Sequence, residues 1–347
     1  MKAVAKNPDF NMNVPHSTGS ANPGDLLAEI RSVIQTDLND AEEFSIKALD
    51  SDIPLIQEIG RHFHQYGGKK LRPITVILSA RALGFEEGQS HIILATILET
   101  IHVATLLHDD VVDDSKMRRG KASANSIWGN PASVLVGDFL YSRTFELLVE
   151  IQRMEVFDVM ARTVRRISEG EILQLVQLEE AGITEEQYFE TIERKTAALF
   201  SAGAQVGAII TNQPEKIQRR MADFGTNLGI AFQLIDDYLD YAGDAKKIGK
   251  SVGDDLAEGK FTLPLIYARQ HSDAVLRNMI DVAIRDPEAI DIEQFCEIVA
   301  KSGALEYTVG LARQYGSRAI QSIDFLPDTP FREALYKLVD FVCSRDY

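Results

Sequence analysis

Apolar residues recur at intervals of three and four positions along almost the whole chain from residue 25 onward, and no stretch alternates convincingly between apolar and polar residues. This spacing is typical of helices that bury one face, whereas alternation would indicate strands. The sequence therefore predicts an all-α fold. The predicted helices cover residues 25–48, 53–66, 73–83, 89–114, 131–150, 154–180, 185–212, 215–241, 261–271, 274–284, 292–300, 303–324 and 330–345.

The segment before these helices has a different composition. Residues 1–24 are rich in Asn, Pro, Ser and Gly and lack the apolar core of a signal peptide. Such a composition predicts a flexible N-terminal leader. Because no shift in composition interrupts the remainder, we expect a single domain over residues 25–347.

The overall composition excludes some classes of function. Acidic residues outnumber basic ones by 52 to 36, so the chain lacks the basic surface that general nucleic-acid binding needs. No apolar run reaches the roughly 18 residues of a membrane span, because the nearest, residues 92–107, contains Glu99 and His102. Two distant cysteines without metal-type spacing disfavour a disulfide framework or a zinc site. We expect a cytoplasmic protein that spans no membrane.

Two predicted segments, residues 89–108 and 224–239, are apolar around most of their circumference, as helices surrounded by other helices are. Each runs into an Asp-Asp-x-x-Asp motif, at residues 109–113 and 236–240. A spacing of four places the outer carboxylates of a motif on one helical face, where they repel each other. Mg²⁺ takes one or two carboxylates while water and phosphate oxygens complete its shell. One such cluster could be a solvated helix end, but two favour a Mg²⁺ site between them.

Basic residues stand close to the first motif and ahead of the helix predicted at residue 73. Arg118 and Arg119 follow the first motif, and arginine binds diphosphate oxygens bidentately. A glycine pair at 67–68 precedes Lys69 and Arg72 and would let backbone approach an anion. The P-loop spacing is absent, and a solvated turn explains this segment about as well. Further polar candidates are His102, Lys195, Thr196, Lys250 and Lys260. Each of these lysines alone is also explained as a surface residue, and the histidine as a buried core residue.

The order and spacing of these residues resemble the trans-isoprenyl diphosphate synthases, also called polyprenyl synthetases, over most of residues 60–270. The series runs Gly-Gly-Lys-x-x-Arg, Asp-Asp-x-x-Asp followed by Arg-Arg, Gly-Asp at 137–138, Lys-Thr at 195–196, Phe-Gln-x-x-Asp-Asp-x-x-Asp at 232–240, and Gly-Lys then Asp-Asp-Leu at 249–256. The resemblance implies a single-domain bundle of about ten or more helices around a central cavity, the isoprenoid synthase type. It also implies Mg²⁺-dependent, head-to-tail condensation of isopentenyl diphosphate onto an allylic diphosphate such as farnesyl diphosphate.

Carried over position by position, the resemblance implies a role for each candidate residue. The diphosphate of isopentenyl diphosphate would be held by Lys69, Arg72, His102 and Arg119. Mg²⁺ would be bound by Asp109, Asp113, Asp236 and Asp240. Substrate would also contact Arg118, Lys195, Thr196, Gln233, Lys250 and Lys260. The catalytic residues would be Asp109, Asp110, Asp113, Arg118, Lys195, Asp236 and Lys250. The leaving diphosphate is highly charged, so the main catalytic need is its electrostatic stabilisation.

The helix before the first motif bears on the length of the product. Ala104 and Thr105, five and four residues before Asp109, are small, whereas short-chain members of the family have a bulky aromatic residue near this position. Ile101 would continue the wall of the product pocket, and Phe145 is a candidate floor residue. The overall sequence, including residues 108–113 and 133–139, is most similar to bacterial octaprenyl diphosphate synthases, which implies a C40 product for the ubiquinone side chain. Relatives are homodimers, which implies the same for this chain.

Three alternatives stay open. A farnesyl or geranylgeranyl synthase would make a shorter product with the same motifs. A class I terpene cyclase shares the first motif type but carries an Asn/Asp-x-x-Ser/Thr-x-x-x-Glu motif in place of residues 236–240. A non-catalytic subunit of a two-chain synthase would tolerate loss of the aspartates or of the basic residues, and both sets are intact here.

Overall fold

The computed structural model of the chain describes residues 22–65, 67–178, 182–242, 253–285 and 291–345. Almost every element is a helix, which confirms the predicted all-α class. The helices, numbered in chain order, are α1 (Pro23–Val33), α2 (Gln35–Ala48), α3 (Pro54–Gln65), α4 (Leu71–Ala82), α5 (Ser90–Val112), α6 (Ala124–Trp128), α7 (Asn130–Ile151), α8 (Met154–Leu178), α9 (Glu185–Ile192), α10 (Ala198–Ile210), α11 (Glu215–Ala242), α12 (Asp254–Ala257), α13 (Leu263–His271), α14 (Ala274–Arg285), α15 (Ile292–Lys301), α16 (Ala304–Ser322) and α17 (Pro330–Ser344).

Two of the predicted helices are interrupted in the structure. The helix predicted over residues 25–48 divides into α1 and α2, because Ile34 leaves the helical region with φ of −127° while its side chain stays buried. The helix predicted over residues 185–212 contains a π-helical turn at Glu193–Ala197, between α9 and α10. Such turns are frequent at functional sites, and this one carries two of the predicted site residues.

A two-stranded hairpin departs from the purely helical prediction. Strands β1 (Met117–Arg118) and β2 (Lys121–Ala122) pair antiparallel directly after α5, and they form the one sheet within the described ranges. Arg119 and Gly120 connect them with φ of 50° and 74°. Positive φ at both central residues is what a tight hairpin turn of this type requires. The hairpin folds the basic segment back over the first aspartate motif.

The centre of the bundle is α5. Leu94, Ile97, Leu98 and Ile101 are at most 1% exposed and pack in the largest cluster of buried apolar residues. By length and composition, α5 is the single helix among those described that could cross a membrane. Its burial among other helices explains its apolar sequence equally well. The helix therefore acts as a rigid core element that carries the first motif at its C-terminal end.

Helices α10 and α11 approach each other closely through glycine. A Cβ at Gly225 would lie 2.3 Å from the carbonyl oxygen of Phe200, and one at Gly229 would lie 2.6 Å from the Cα of Ala197. No larger residue fits at either position without moving a helix. This contact brings the π-helical turn beside α11 and thus beside the second motif.

Candidate active site

The first aspartate motif stands at the end of α5, where its second carboxylate is an interior anchor. Asp110 is completely buried, and Oδ1 accepts hydrogen bonds from Arg118, at 2.7 Å from Nε and 2.6 Å from Nη2. Arg118 reaches it from β1. This buried pair fixes the hairpin beside α5. Asp110, predicted to be catalytic, thus lies in the interior, and Arg118, predicted to contact the allylic substrate, is engaged with it.

Asp109 presents its carboxylate differently. Its side chain has no hydrogen-bond partner within the described part of the chain, although it is largely buried. Burial, with the charge of Asp113, raises the pKa of Asp109, while Lys195 and Arg118 oppose that rise. A carboxylate in this position gains most from a divalent cation, because burial penalises its charge and no protein donor neutralises it directly.

Lys260 connects the two halves of the site. Its Nζ lies 2.9 Å from Oδ2 of Asp113 and 2.6 Å from a carboxylate oxygen of Glu258. Burial lowers the pKa of Lys260, but the charges of Asp113, Glu258 and Asp255 outweigh it, so the pKa is raised above its ordinary value. Lys260 is 147 residues from Asp113 in sequence. The lysine predicted as a substrate contact therefore links the first motif to the segment that follows the second.

The second motif stands at the end of α11, and each of its aspartates has a protein partner. Asp236 pairs with Arg345 at 2.7 Å. Asp237 is buried and accepts hydrogen bonds from Tyr188 at 2.5 Å and Gln233 at 2.7 Å. Burial, with the charges of Asp255 and Asp236, raises the pKa of Asp237 to about 8. Asp240 accepts a hydrogen bond from the backbone N–H of Asp255 at 3.3 Å.

A cluster of cations surrounds His102 on α5. Burial and the nearby charges of Arg72, Arg119, Arg118 and Lys70 hold the pKa of His102 well below its ordinary value. The imidazole is therefore neutral at physiological pH. Arg72 of α4 and the two arginines of the hairpin thus act on the same imidazole, and their combined charge suits a diphosphate.

Arg72 has features of an anion-binding residue. Its Nε is buried and has no partner among the described residues, and its guanidinium lies 4.9 Å from the centre of the Phe200 ring. Burial lowers the pKa of Arg72 to about 10 despite the charges of Glu99 and Asp236. A buried donor without an acceptor is costly. A diphosphate oxygen would satisfy it.

The glycine pair before α4 holds a hairpin arginine rather than leaving an open anion nest. Arg119 donates to the carbonyl oxygen of Gly67 at 2.6 Å. Gly68 has φ of +139°, and a Cβ there would lie 2.5 Å from the Arg119 guanidinium. Glycine is favoured here mainly by that φ, which other residues rarely adopt, since the arginine side chain could shift. Lys69 lies at the same end of α4, with Nζ 6.0 Å from the centre of the Phe341 ring.

The π-helical turn supplies the predicted Lys195 and Thr196. Lys195 pairs with Glu171 of α8 at 2.6 Å, and Thr196 donates to Gln233 at 2.8 Å. Burial and the charge of Asp109 raise the pKa of Glu171 to about 7, against the effect of Lys195. Glu171 was missed in the sequence because it stands in an ordinary helical stretch of α8. It is a half-buried acid whose partner Lys195 lies 24 residues away, which spacing alone does not reveal.

A small cavity adjoins these residues. It has a volume of about 130 Å³, and its lining includes Lys195, Thr196, Gln233, Asp237 and Lys260. Four of these residues were predicted site residues, and the structure brings them together from the π-helical turn, α11 and the segment before α13. Lys250, also predicted, lies outside the described residues.

Of the residues predicted to control the length of the product, some are buried in the structure and one lies on the surface. Ile101 and Ala104 are buried in two different apolar clusters, the first in the main core and the second against α3 and α7. Thr105 is half-buried and donates to the carbonyl oxygen of His102 at 2.8 Å. Phe145 is 44% exposed and lies beside Phe157 of α8. The prediction that Phe145 forms an internal floor is therefore corrected, because within one chain this side chain lies on the surface.

The carboxylates at the ends of α5 and α11 fit a metal ion that obtains further ligands from outside the protein. Within the described ranges, no group of three or more Asp, Glu, His or Cys residues lies close enough to hold a metal by itself. Asp113 and Asp236 are instead paired with Lys260 and Arg345. The unpartnered carboxylate of Asp109 fits Mg²⁺, which typically takes one or two protein ligands and obtains the rest from water and phosphate. The donors present thus fit an ion that binds together with a diphosphate.

Comparisons with known proteins identify the family of this chain. Residues 53–299 match the polyprenyl synthetase family. The octaprenyl diphosphate synthase of Escherichia coli is 44% identical over 92% of this chain and 99% of its own length. An all-trans-nonaprenyl-diphosphate synthase (geranyl-diphosphate specific) of Rhodobacter capsulatus is 38% identical over 92% of this chain and 98% of its own. The crystal structure of a polyprenyl synthase from Caulobacter crescentus, complexed with calcium and isoprenyl diphosphate, superposes with a TM-score of 0.89, at 39% identity, over 92% of this chain and 98% of that one.

Proposed function

The chain belongs to the polyprenyl synthetase family and is a long-chain trans-polyprenyl diphosphate synthase, and from that premise we propose that its product is octaprenyl diphosphate (C40). The starter would be an allylic diphosphate such as farnesyl diphosphate, and isopentenyl diphosphate would add the remaining units. The 44% identity to an octaprenyl synthase supports this length, as does a small residue, Ala104, near the first motif. The product would supply the side chain of ubiquinone.

The two diphosphates would bind to different groups of residues. We assign isopentenyl diphosphate to the cations around His102, namely Arg72 and Arg119, because the buried Nε of Arg72 needs an acceptor. We assign the allylic diphosphate to the end of α5 that carries Asp109, where Lys195 acts on that carboxylate. One observation supports both assignments. Helix α5 has His102 with its neighbouring cations at one position and the unpartnered carboxylate of Asp109 two turns later, at its end.

The chain's own residues would favour ionisation of the allylic substrate in three ways. Glu171 holds the Lys195 ammonium in place, so no reorganisation is needed as charge develops on the leaving oxygen. The apolar residues of α5 exclude water that would quench the carbocation. The neutral His102 can donate a hydrogen bond to phosphate without adding a charge. Mg²⁺, when bound, would neutralise much of the diphosphate charge and so weaken the allylic C–O bond.

After ionisation, the double bond of isopentenyl diphosphate attacks the allylic cation and forms the new C–C bond, which leaves a tertiary cation. The last step is loss of a proton from that cation. We propose that the departed diphosphate accepts it, since that group is formed beside the substrate and is strongly basic. Asp109 would be taken up by the metal, while Glu171 is paired with Lys195 and Asp113 with Lys260. The double bond then forms, and the extended chain is ready for the next addition.

Elongation assays test the proposal. Purified protein would be incubated with farnesyl diphosphate, isopentenyl diphosphate and Mg²⁺, and the products measured by mass. We expect a C40 product as the main species, and none when the metal is chelated. A main product of C20 or C45 would contradict the proposed length, and recovery of the C15 starter without any elongation would contradict the proposed activity.

A pair of aspartate variants locates the chemistry in the same assay. Asp109→Asn should lower the rate roughly 100-fold, because it removes a charge that acts on the developing diphosphate through the metal. Asp114→Asn is the matched control, since this carboxylate is 74% exposed and pairs with Lys116 on the surface. Equal effects of the two substitutions would contradict the assignment of Asp109.

We further propose that the protein acts as a homodimer in the cytoplasm. Apolar side chains lie exposed along α7 and α8, among them Leu135 at 66%, Val149 at 68% and Ile172 at 62%. Leu135 and Val149 are 14 residues apart, about four helical turns, so they share one face of α7. Such a face favours a second copy of the chain. The free thiols of Cys296 and Cys343 support a reducing compartment.

A further inference from the structure

The last helix delivers an arginine into the second aspartate motif. Arg345 follows the end of α17 and is only 5% exposed. Its Nη1 lies 2.7 Å from Oδ1 of Asp236, and its Nη2 donates to the carbonyl oxygen of Phe232 at 2.6 Å. The guanidinium also lies 4.1 Å from the centre of the Phe232 ring. One side chain near the chain's end is therefore bound to the face of α11 that carries the predicted metal ligand.

The guanidinium of Arg345 still has a hydrogen-bond donor that could bind an anion. Its Nε is buried and has no partner among the residues that the structure describes. Arg72, whose buried Nε also lacks a partner there, is close enough to Asp236 for the two charges to interact. Arg345 thus contacts this aspartate, Arg72 acts on it through its charge, and each keeps a buried donor that the described chain does not satisfy. Buried donors of this kind point to an anionic ligand.

The ion pair competes with the metal for the same carboxylate. Asp236 cannot be the full partner of Arg345 and of Mg²⁺ at once, because both use its negative charge. If the metal alone took Asp236, Arg345 would remain as a buried cation without a counter-charge, which is unfavourable. If a diphosphate arrived with the metal, its oxygens would provide the acceptor that the arginine loses.

We propose that Arg345 is a positioning residue that holds Asp236 until Mg²⁺ and a diphosphate bind together, and that it then binds the diphosphate. This inference rests on the proposed function for the identity of the ligand. The ion pair between Arg345 and Asp236 would make the second motif selective for the metal–diphosphate complex over the free metal. The contact also couples α17 to occupation of the site, since this helix must remain in place for the arginine to reach α11.

The inference predicts opposite changes in two affinities. Arg345→Gln removes the competitor of the metal, so Mg²⁺ alone should bind severalfold more tightly at Asp236. The same substitution removes a cation from the diphosphate, so inorganic pyrophosphate in saturating Mg²⁺ should bind at least tenfold more weakly. A side chain with a purely structural role would weaken both. The opposite signs therefore separate the two interpretations.

The measurement is isothermal titration calorimetry of the full chain with Mg²⁺ alone, and with pyrophosphate in Mg²⁺. The background variant Asp236→Asn identifies which Mg²⁺ site responds. Lys337→Gln is the matched control, because it removes one positive charge from the same helix while its partner, Glu29, lies on the surface. Arg345→Lys keeps the charge but loses the two-pronged contact, so it should fall between wild type and Arg345→Gln, and it provides the test if Arg345→Gln does not fold.

The outcomes separate this inference from the proposed function. Tighter Mg²⁺ binding with weaker pyrophosphate binding supports the inference, even if the chain does not elongate farnesyl diphosphate. Unchanged or weaker binding of Mg²⁺ alone in a folded Arg345 variant overturns it, even if the chain makes C40 products. The same response in Lys337→Gln would also overturn it, because the effect would then reflect net charge only.

Discussion

At the scale of single residues, Ala104 provides the sharpest test of product length. It is fully buried where α5 packs against α3 and α7. Ala104→Val and Ala104→Phe should shorten the product in order of side-chain size, because each fills space that we assign to the growing chain. Overpacking should also cost about 1 to 3 kcal/mol of stability. Product masses from the elongation assay give the result, and unchanged lengths in folded variants would mean that another wall limits the chain.

Which side chains lie close together could be predicted from the sequence only when the residues are near each other along the chain. Asp109 and Asp113 are one helical turn apart, so their shared face follows from helical spacing alone. Arg345 and its partner Asp236 are 109 positions apart, and only the packing of α17 brings them together. Phe145 shows another limit of the sequence pattern. The pattern placed this residue on a helix but did not show that its side chain lies on the surface.

At the scale of elements, a buried ion pair joins three helices. Asp37 of α2 accepts hydrogen bonds from Arg81 of α4 at 2.6 and 2.8 Å, and from His91 of α5 at 3.3 Å. Burial alone would raise the pKa of Asp37, but these hydrogen bonds outweigh it and hold the pKa well below its ordinary value. The charged form is therefore strongly favoured in the folded protein.

We expect Asp37→Asn to lower the free energy of unfolding by about 3 kcal/mol at neutral pH, since it breaks a buried pair. A depressed pKa contributes stability that is fully present above the unfolded-state pKa of about 3.9 and is lost as the pH falls below it. The difference from wild type should therefore shrink below about pH 4. Denaturant unfolding at several pH values measures it. Asp40→Asn, exposed on the same helix, should change little, and a pH-independent difference would contradict the ionic explanation.

The predicted and observed elements differ where local geometry departs from a regular helix. The apolar spacing continues across Ile34, so the break between α1 and α2 could not be predicted from it. The strands of the hairpin are two residues long, which is too short for alternation to be visible. The π-helical turn at 193–197 adds one residue to a turn without changing composition. Each of these features lies at the site or frames the core, where packing overrides local pattern.

At the scale of the whole molecule, periodicity predicted the all-α class but not the arrangement of the helices. Which helix packs on which depends on contacts such as the one between α10 and α11, where Gly225 and Gly229 permit close approach. Spacing does not encode that choice, because any two apolar faces could pair. The resemblance to a known family implied the helices around a cavity, and the solved structure at a TM-score of 0.89 supports that architecture.

The same scale gives the test of the proposed dimer. A stable interface buries about 1,600 Å² in total, and the exposed apolar faces of α7 and α8 are the part of the surface that would supply it. Leu135→Asp with Val149→Asp should produce monomers by light scattering and lower the melting temperature, since charge would be buried at the contact. Val275→Asp is the matched control, because this valine is 71% exposed on α14, away from that face. A wild-type chain that is monomeric at assay concentration, or a double variant that stays dimeric, would contradict the assignment of this face.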